Sequence, residues 1–177
     1  NKDIELIERV CLRSSLCSYD PYDIWKTAIG RFSKKLYYKN KYLGIIPAAT
    51  LTLFDLFLNL QTRTFYNHQE YPVVRGQAAL TLVHKFRETG NINYLNYAKK
   101  HIDWLLENAS EGYSGLCWGT GFEIVINADL SYDSNTPFTT NTPYILEALH
   151  EYYVLTKDPE ISKAIISIYK FYENHIV

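Results

Sequence analysis

Three carboxylates fall close together in one stretch of this chain: Glu123, Asp129 and Asp133. Paired carboxylates serve as general acid and base in glycan chemistry, at separations of roughly 5–9.5 Å. Tyr113 and Trp118 precede them and offer flat apolar faces on which a sugar ring can stack. The stretch 110–139 that holds all five has no helical periodicity. Loops beyond about 12–15 residues are uncommon in compact domains and are usually functional or disordered. Here Leu116, Phe122, Ile124, Val125, Ile126 and Leu130 supply apolar material to order the loop, and glycines at 112, 115, 119 and 121 allow tight turns. The expectation is an ordered pocket wall; the competing one is a plug over the ends of two hairpins, with solvated acids.

Other residues extend the candidate site. His68 stands near Glu70, an acid/base pair by residue type or an ordinary surface histidine. Arg75, one turn into a helix, is suited to an acidic sugar or to a pair with Glu70. Thr140 and Asn141 begin a helix, where unpaired N–H groups and partial positive charge favour a carboxylate or phosphate. His68, Arg75, Tyr113, Trp118, Thr140 and Asn141 are therefore the expected substrate-binding set. Glu123, Asp129 and Asp133 are the expected catalytic set. Cys117 reads as a packing residue, and His150-Glu151 is no HExxH pair. With neither a phosphate-binding glycine loop nor a GxSxG elbow, no metal and no cofactor is expected.

The elements that position these residues read as helices. Asp20-Pro21 is a cap followed by proline, and Ile24, Trp25, Ala28, Phe32 and Leu36 then recur at steps of three and four. Pro47 is expected to open a second helix, apolar on almost every face and so enclosed by neighbours. Pro72 opens a third that Gly90 stops. Leu95, Ala98, Ile102 and Leu105 mark a fourth, Pro143 sits in the first turn of a fifth, and Asp158-Pro159 caps a sixth. A short helix around Ile4 to Leu12 precedes them. Only Glu123 to Ile126 hints at period two.

The segment Phe86-Arg87-Glu88-Thr89-Gly90-Asn91 and the helix after it have a counterpart in Tyr153-Val154-Leu155-Thr156-Lys157-Asp158 and its helix, roughly 67 residues on. Tandem helical hairpins bury their apolar faces by stacking sideways, into a solenoid or a closed toroid. The fold class is all-α, one domain over 1–177 with hairpins 20–65, 72–109 and 141–176.

Composition narrows the partners. With 177 residues and 47% hydrophobic content the chain can build a core, and a net charge of −1 makes nucleic acid an unsuitable partner. Three cysteines form no CxxC and cannot all pair, which reads as a reduced, cytoplasmic protein. The apolar stretch 43–60 contains Pro47, Asp55 and Asn59, so a buried helix is expected rather than a membrane span. Sixteen tyrosines fit either a ring-stacking site or a general abundance of Tyr, Asn, Ile and Lys. The absence of methionine and a helical pattern running to the end suggest a piece of a longer protein.

Gly115-Leu116-Cys117-Trp118-Gly119-Thr120-Gly121-Phe122, followed by Thr139-Thr140-Asn141-Thr142-Pro143-Tyr144, resembles the six-hairpin toroid proteins of bacterial surface-polysaccharide gene clusters. Tyr37-Tyr38-Lys39-Asn40-Lys41-Tyr42-Leu43-Gly44 is similar to their N-terminal region. The resemblance implies an (α/α)6 toroid acting on or near glycans, related in fold to glycosidases, lyases and sugar epimerases. Three hairpins make a partial toroid, so homodimerisation or a missing C-terminal half is expected. The functional expectation is a carbohydrate-processing or carbohydrate-binding protein, with a glycan or acidic sugar held at the inter-hairpin loop end. If it is an enzyme, a hydrolase, lyase or epimerase is implied. The alternatives are a non-catalytic helical-repeat module that binds protein and a handler of lipid-linked sugar or isoprenoid.

Overall fold

A computed structural model describes residues 2–19 and 23–175. Among them are seven α-helices: α1 (Lys2–Cys11), α2 (Ala28–Lys39), α3 (Lys41–Phe57), α4 (Pro72–Thr89), α5 (Ile92–Glu107), α6 (Asn141–Thr156) and α7 (Pro159–His175). A 3-10 turn over Ile24–Lys26 precedes α2, and a small antiparallel ribbon joins β1 (Ile124–Val125) to β2 (Ser131–Tyr132). The protein is all-α apart from that ribbon. The start signal expected at Asp20-Pro21 lies outside the described residues.

The chain forms two compact units: Asn1–Leu16, Glu70–Gly121 and Asn135–Val177 make the first, Cys17–Gln69 and Phe122–Ser134 the second. In unit 1, α4 packs against both α5 and α6, α6 packs against α7, and α1 lies on α4. Ala79, Leu82 and Val83 of α4, Ile102 and Leu105 of α5, Ile145 and Leu149 of α6, and Ile161 and Ile168 of α7 are fully buried. These are the stripes that steps of three and four place on one helix face. At Gly76 of α4 a Cβ would lie 3.1 Å from Ile145 Cγ1, so a small residue there sets how closely α4 approaches α6.

The two hairpin turns of unit 1 repeat each other down to their caps. Gly90 ends α4 with φ 70° and donates its N–H to the Phe86 carbonyl at 2.8 Å. Lys157 ends α6 with φ 54° and donates to the Tyr153 carbonyl at 2.9 Å. Asn91 then caps α5 by accepting from the Asn93 N–H, and Asp158 accepts from the Glu160 N–H at the start of α7. One left-handed residue followed by one Asx cap is the shared device.

Unit 2 is built on α2 and α3, which pack along each other, with the 3-10 turn against both. Thr27 caps α2 by accepting from the Gly30 N–H at 3.1 Å. Asn40 caps α3 by accepting from the Tyr42 and Leu43 N–H groups at 3.0 and 3.2 Å. That cap starts α3 six residues before Pro47, so the proline lies inside the helix instead of opening it. Gly44 permits the close approach of the two helices: a Cβ there would fall 2.2 Å from the Tyr37 Cα.

The enclosure expected for α3 is not found. Gly44 and Leu51 are its buried residues, while Ile46 is 71% and Phe57 70% exposed, and Leu43, Ile45, Leu53 and Leu56 are exposed as well. A helix that is apolar all round contacts α2 along one stripe, and the rest of its apolar surface stays open.

Candidate functional site

The nine expected site residues divide between the units. Arg75, Tyr113, Trp118, Thr140 and Asn141 belong to unit 1, and His68, Glu123, Asp129 and Asp133 to unit 2.

In unit 1 the loop before β1 acts as a plug. Trp118 is fully buried, its indole N–H donating to the Leu105 carbonyl at 2.8 Å and its backbone N–H to Thr142 Oγ1 at 3.3 Å. Its ring faces are enclosed in the core, so the expected stacking role is corrected to a packing one. Gly115 seats the loop on α7, since a Cβ there would fall 1.9 Å from the Ser167 carbonyl oxygen. Tyr113 packs edge-on against Phe171 and His175 of α7, with ring centroids 5.9 and 5.4 Å away. Burial pushes the Cys117 thiol up to about 11, which leaves it protonated and inert. Thr140 is exposed, and Asn141 keeps a buried side-chain N–H group without a partner.

Arg75 is likewise a strut. It is 3% exposed, and its guanidinium donates to the Glu70 carboxylate, to the Ser14 carbonyl at 2.9 Å and to His101 Nδ1 at 2.7 Å. Arginine only donates, so Nδ1 must be the acceptor and the imidazole is neutral with its proton on Nε2. That proton is donated to the Cys11 carbonyl at 2.7 Å. Burial holds His101 below its ordinary value, and the Arg75 charge adds to this against the Cys11 bond. Burial alone would raise Glu70, but hydrogen bonds from Arg75, Ser15 and the Leu16 N–H, together with the Arg75 charge, outweigh it and hold the carboxyl low. The guanidinium is committed inside the protein, so the expected anion-binding role of Arg75 is corrected.

In unit 2 the ribbon lies on α2. Glu123 pairs with Arg31 at 3.0 Å and with Lys35 at 3.1 Å, while Lys34 Nζ donates to the Val125 carbonyl at 2.7 Å. Partial burial would raise Glu123, yet the Lys35 hydrogen bond and the Arg31 charge hold it below the usual carboxylate range. A carboxylate so held does not keep a proton to donate near neutral pH. Asp129 and Asp133 are exposed on or beside the β1–β2 turn, and Asp129 donates its backbone N–H to Asn127 Oδ1. His68 is exposed, its ring 4.8 Å from that of Tyr19.

Two concave surfaces of unit 2 lie along α2. One cavity of about 230 Å³ is lined by Trp25, Lys34, Tyr37, Tyr38 and Ala48. A second, of about 600 Å³, is lined by Phe32, Lys35, Leu36, Tyr38, Lys39, Ala128 and Asp129. Tyr38 borders both, with Lys34 Nζ 5.8 Å from its ring centroid and the Tyr37 ring edge-on at 6.3 Å. Aromatic faces beside ammonium groups suit a ligand with an apolar ring face and acidic or hydroxyl substituents. Among the expected site residues, only Asp129 lines these cavities. Trp25, Lys34, Tyr37 and Tyr38 lie outside the expected site; the signal for the last three is the interleaving of tyrosine and lysine over 34–42, and Trp25 has only its place on the apolar stripe. Among the described residues no group of His, Cys, Asp and Glu is placed to hold a metal ion. No described helix is long and apolar enough to cross a membrane.

No sequence family, curated protein or solved structure matches the chain.

Proposed function

We propose that this protein is a carbohydrate-binding helical-hairpin protein of bacterial surface-polysaccharide metabolism, working in the cytoplasm. In this reading its hairpins are part of an (α/α) toroid and the glycan lies against α2. The observation that carries it is the cavity lined by Trp25, Tyr37, Tyr38 and Lys34, three aromatic rings and one ammonium at one surface. Sugar rings stack their C–H faces on such rings, and the basic side chain favours an acidic sugar. Binding is preferred to catalysis because Glu123 is held ionised by two cations. An enzyme version would need Asp129 and Asp133 to act as the pair.

Titration calorimetry with acidic and neutral oligosaccharides tests this. The wild type is expected to bind an acidic saccharide, and Trp25→Ala and Tyr37→Ala each to weaken it about 3–10-fold, as loss of one stacking contact does. The reading fails if no saccharide binds, or if the double variant binds as well as the wild type.

A further inference from the structure

Unit 2 holds a second surface, on α3, which shares Phe32, Tyr38 and Lys39 with the cavities along α2. The exposed face of α3 is mostly apolar: Leu43, Ile46, Leu53 and Phe57 line it, Thr50 is a polar residue among them, and no charged residue occurs from Tyr42 to Phe54. It continues into a groove of about 770 Å³ whose walls include Phe32 of α2 and Phe65 after α3. Exposed apolar area of this extent marks an interaction surface.

Charge identifies what the surface meets. Between Asp23 and Asp55 the chain has six cations, Lys26, Arg31, Lys34, Lys35, Lys39 and Lys41, and no acid, although its overall charge is −1; Asp55 lies in the last turn of α3, away from Lys39 and Lys41. Glu123 offsets only Arg31 and Lys35. Lys34 meets a neutral carbonyl, while Lys26 lies over the Phe122 ring with Asp23 near it. Lys39 and Lys41 are exposed on either side of Asn40, where the apolar face of α3 begins. Tyr38 and Tyr42 are exposed at the same corner. An apolar helix face bordered by lysines and tyrosines at one end is the material of a membrane-interface contact, with the charge supplied by α2 and the α2–α3 corner instead of by α3 itself. In a two-fold contact a second copy of the chain would bring the same lysine fringe and leave it unneutralised. A bilayer with anionic headgroups takes up both the apolar face and the excess positive charge.

We therefore propose that α3 lies in the plane of an anionic membrane surface. Its apolar face sits at the boundary of headgroups and acyl chains, and Lys39 and Lys41 sit among the phosphates. At 17 residues α3 spans nothing, in keeping with the lack of a membrane-crossing helix among those described.

Co-sedimentation of the full chain with vesicles tests the proposal without any saccharide, so its outcome is independent of the glycan reading. Vesicles of phosphatidylcholine containing roughly one-third phosphatidylglycerol should carry the protein down, and phosphatidylcholine alone should carry little. Lys39→Gln and Lys41→Gln should each weaken partitioning about fivefold, the value of one lysine near such a surface. Leu53→Glu with Phe57→Glu should abolish it, while circular dichroism shows the helices retained. Equal recovery with both vesicle types would overturn the proposal, as would no recovery with either. So would a stable dimer in lipid-free sedimentation that Phe57→Glu dissociates.

Discussion

The α6–α7 hairpin and the α2–α3 hairpin are made from similar apolar material and fare oppositely. In α6–α7, Ile145, Leu149, Ile161 and Ile168 are fully buried against other elements of unit 1. In α2–α3, Phe32, Ile46 and Phe57 remain open. Where neighbours cover the apolar stripe, aromatic and charged side chains are drawn in as structural parts, as Trp118 and Arg75 are. Where the stripe is open, aromatic and cationic groups stay at the surface, available to ligands. Residue type alone does not make a site; coverage decides whether a tryptophan is a core residue or a platform.

Trp118→Ala puts the contrast under the heaviest strain. It empties a fully enclosed site and removes one of the donors to the Leu105 carbonyl, so urea unfolding should show a loss of about 3–5 kcal/mol. Acid should act next. The folded protein holds His101 neutral, below its ordinary 6.5, so the stability it contributes is complete above that value and is lost as pH falls through it towards the lowered folded value. Glu70, also lowered, contributes fully above its ordinary 4.5 and loses that contribution as pH falls further. Urea midpoints of unit 1 should therefore drop in two stages, and His101→Gln should remove the upper one. A smaller effect separates the two hairpin turns. Gly90→Ala should cost about 1 kcal/mol at φ 70°, whereas Lys157→Gly should gain about 0.5 kcal/mol at φ 54°. Calorimetric melting of both variants reads the opposite signs. The smallest change should come from Phe57→Ala, within about 0.5 kcal/mol of wild type by the same urea measurement, because the ring is already in water.

Much of the helix layout was legible, because its signals are local. Pro72, Gly90, Pro143 and Asp158-Pro159 mark helix ends where the structure has them, and the repeat between the two turns reappears in their caps. Pro47 misled because proline marks a first turn only when no cap precedes it, and Asn40 starts α3 earlier. The openness of α3 was not legible either, since an apolar helix reads alike whether its neighbours exist or not. The same holds for the site. Periodicity assigned Trp25 to a stripe and the glycine-rich loop offered Trp118 as a platform, but tertiary packing encloses Trp118 and leaves Trp25 lining a cavity. Arg75 carried two readings, an anion or Glu70; the structure pairs it with Glu70, and His101 and Ser14 take up the rest of the guanidinium.

The three tryptophans provide the most direct test of the account. Trp25 lines the cavity on α2, Trp104 lies beneath the Arg75 guanidinium at 5.1 Å, and Trp118 is enclosed in the core of unit 1. Each indole N–H gives its own signal in a nitrogen–proton NMR correlation spectrum. On titration with an acidic oligosaccharide the account predicts that the Trp25 signal moves while those of Trp104 and Trp118 stay in place. Movement of Trp118 with Trp25 unmoved, or no movement of any of the three, would contradict it.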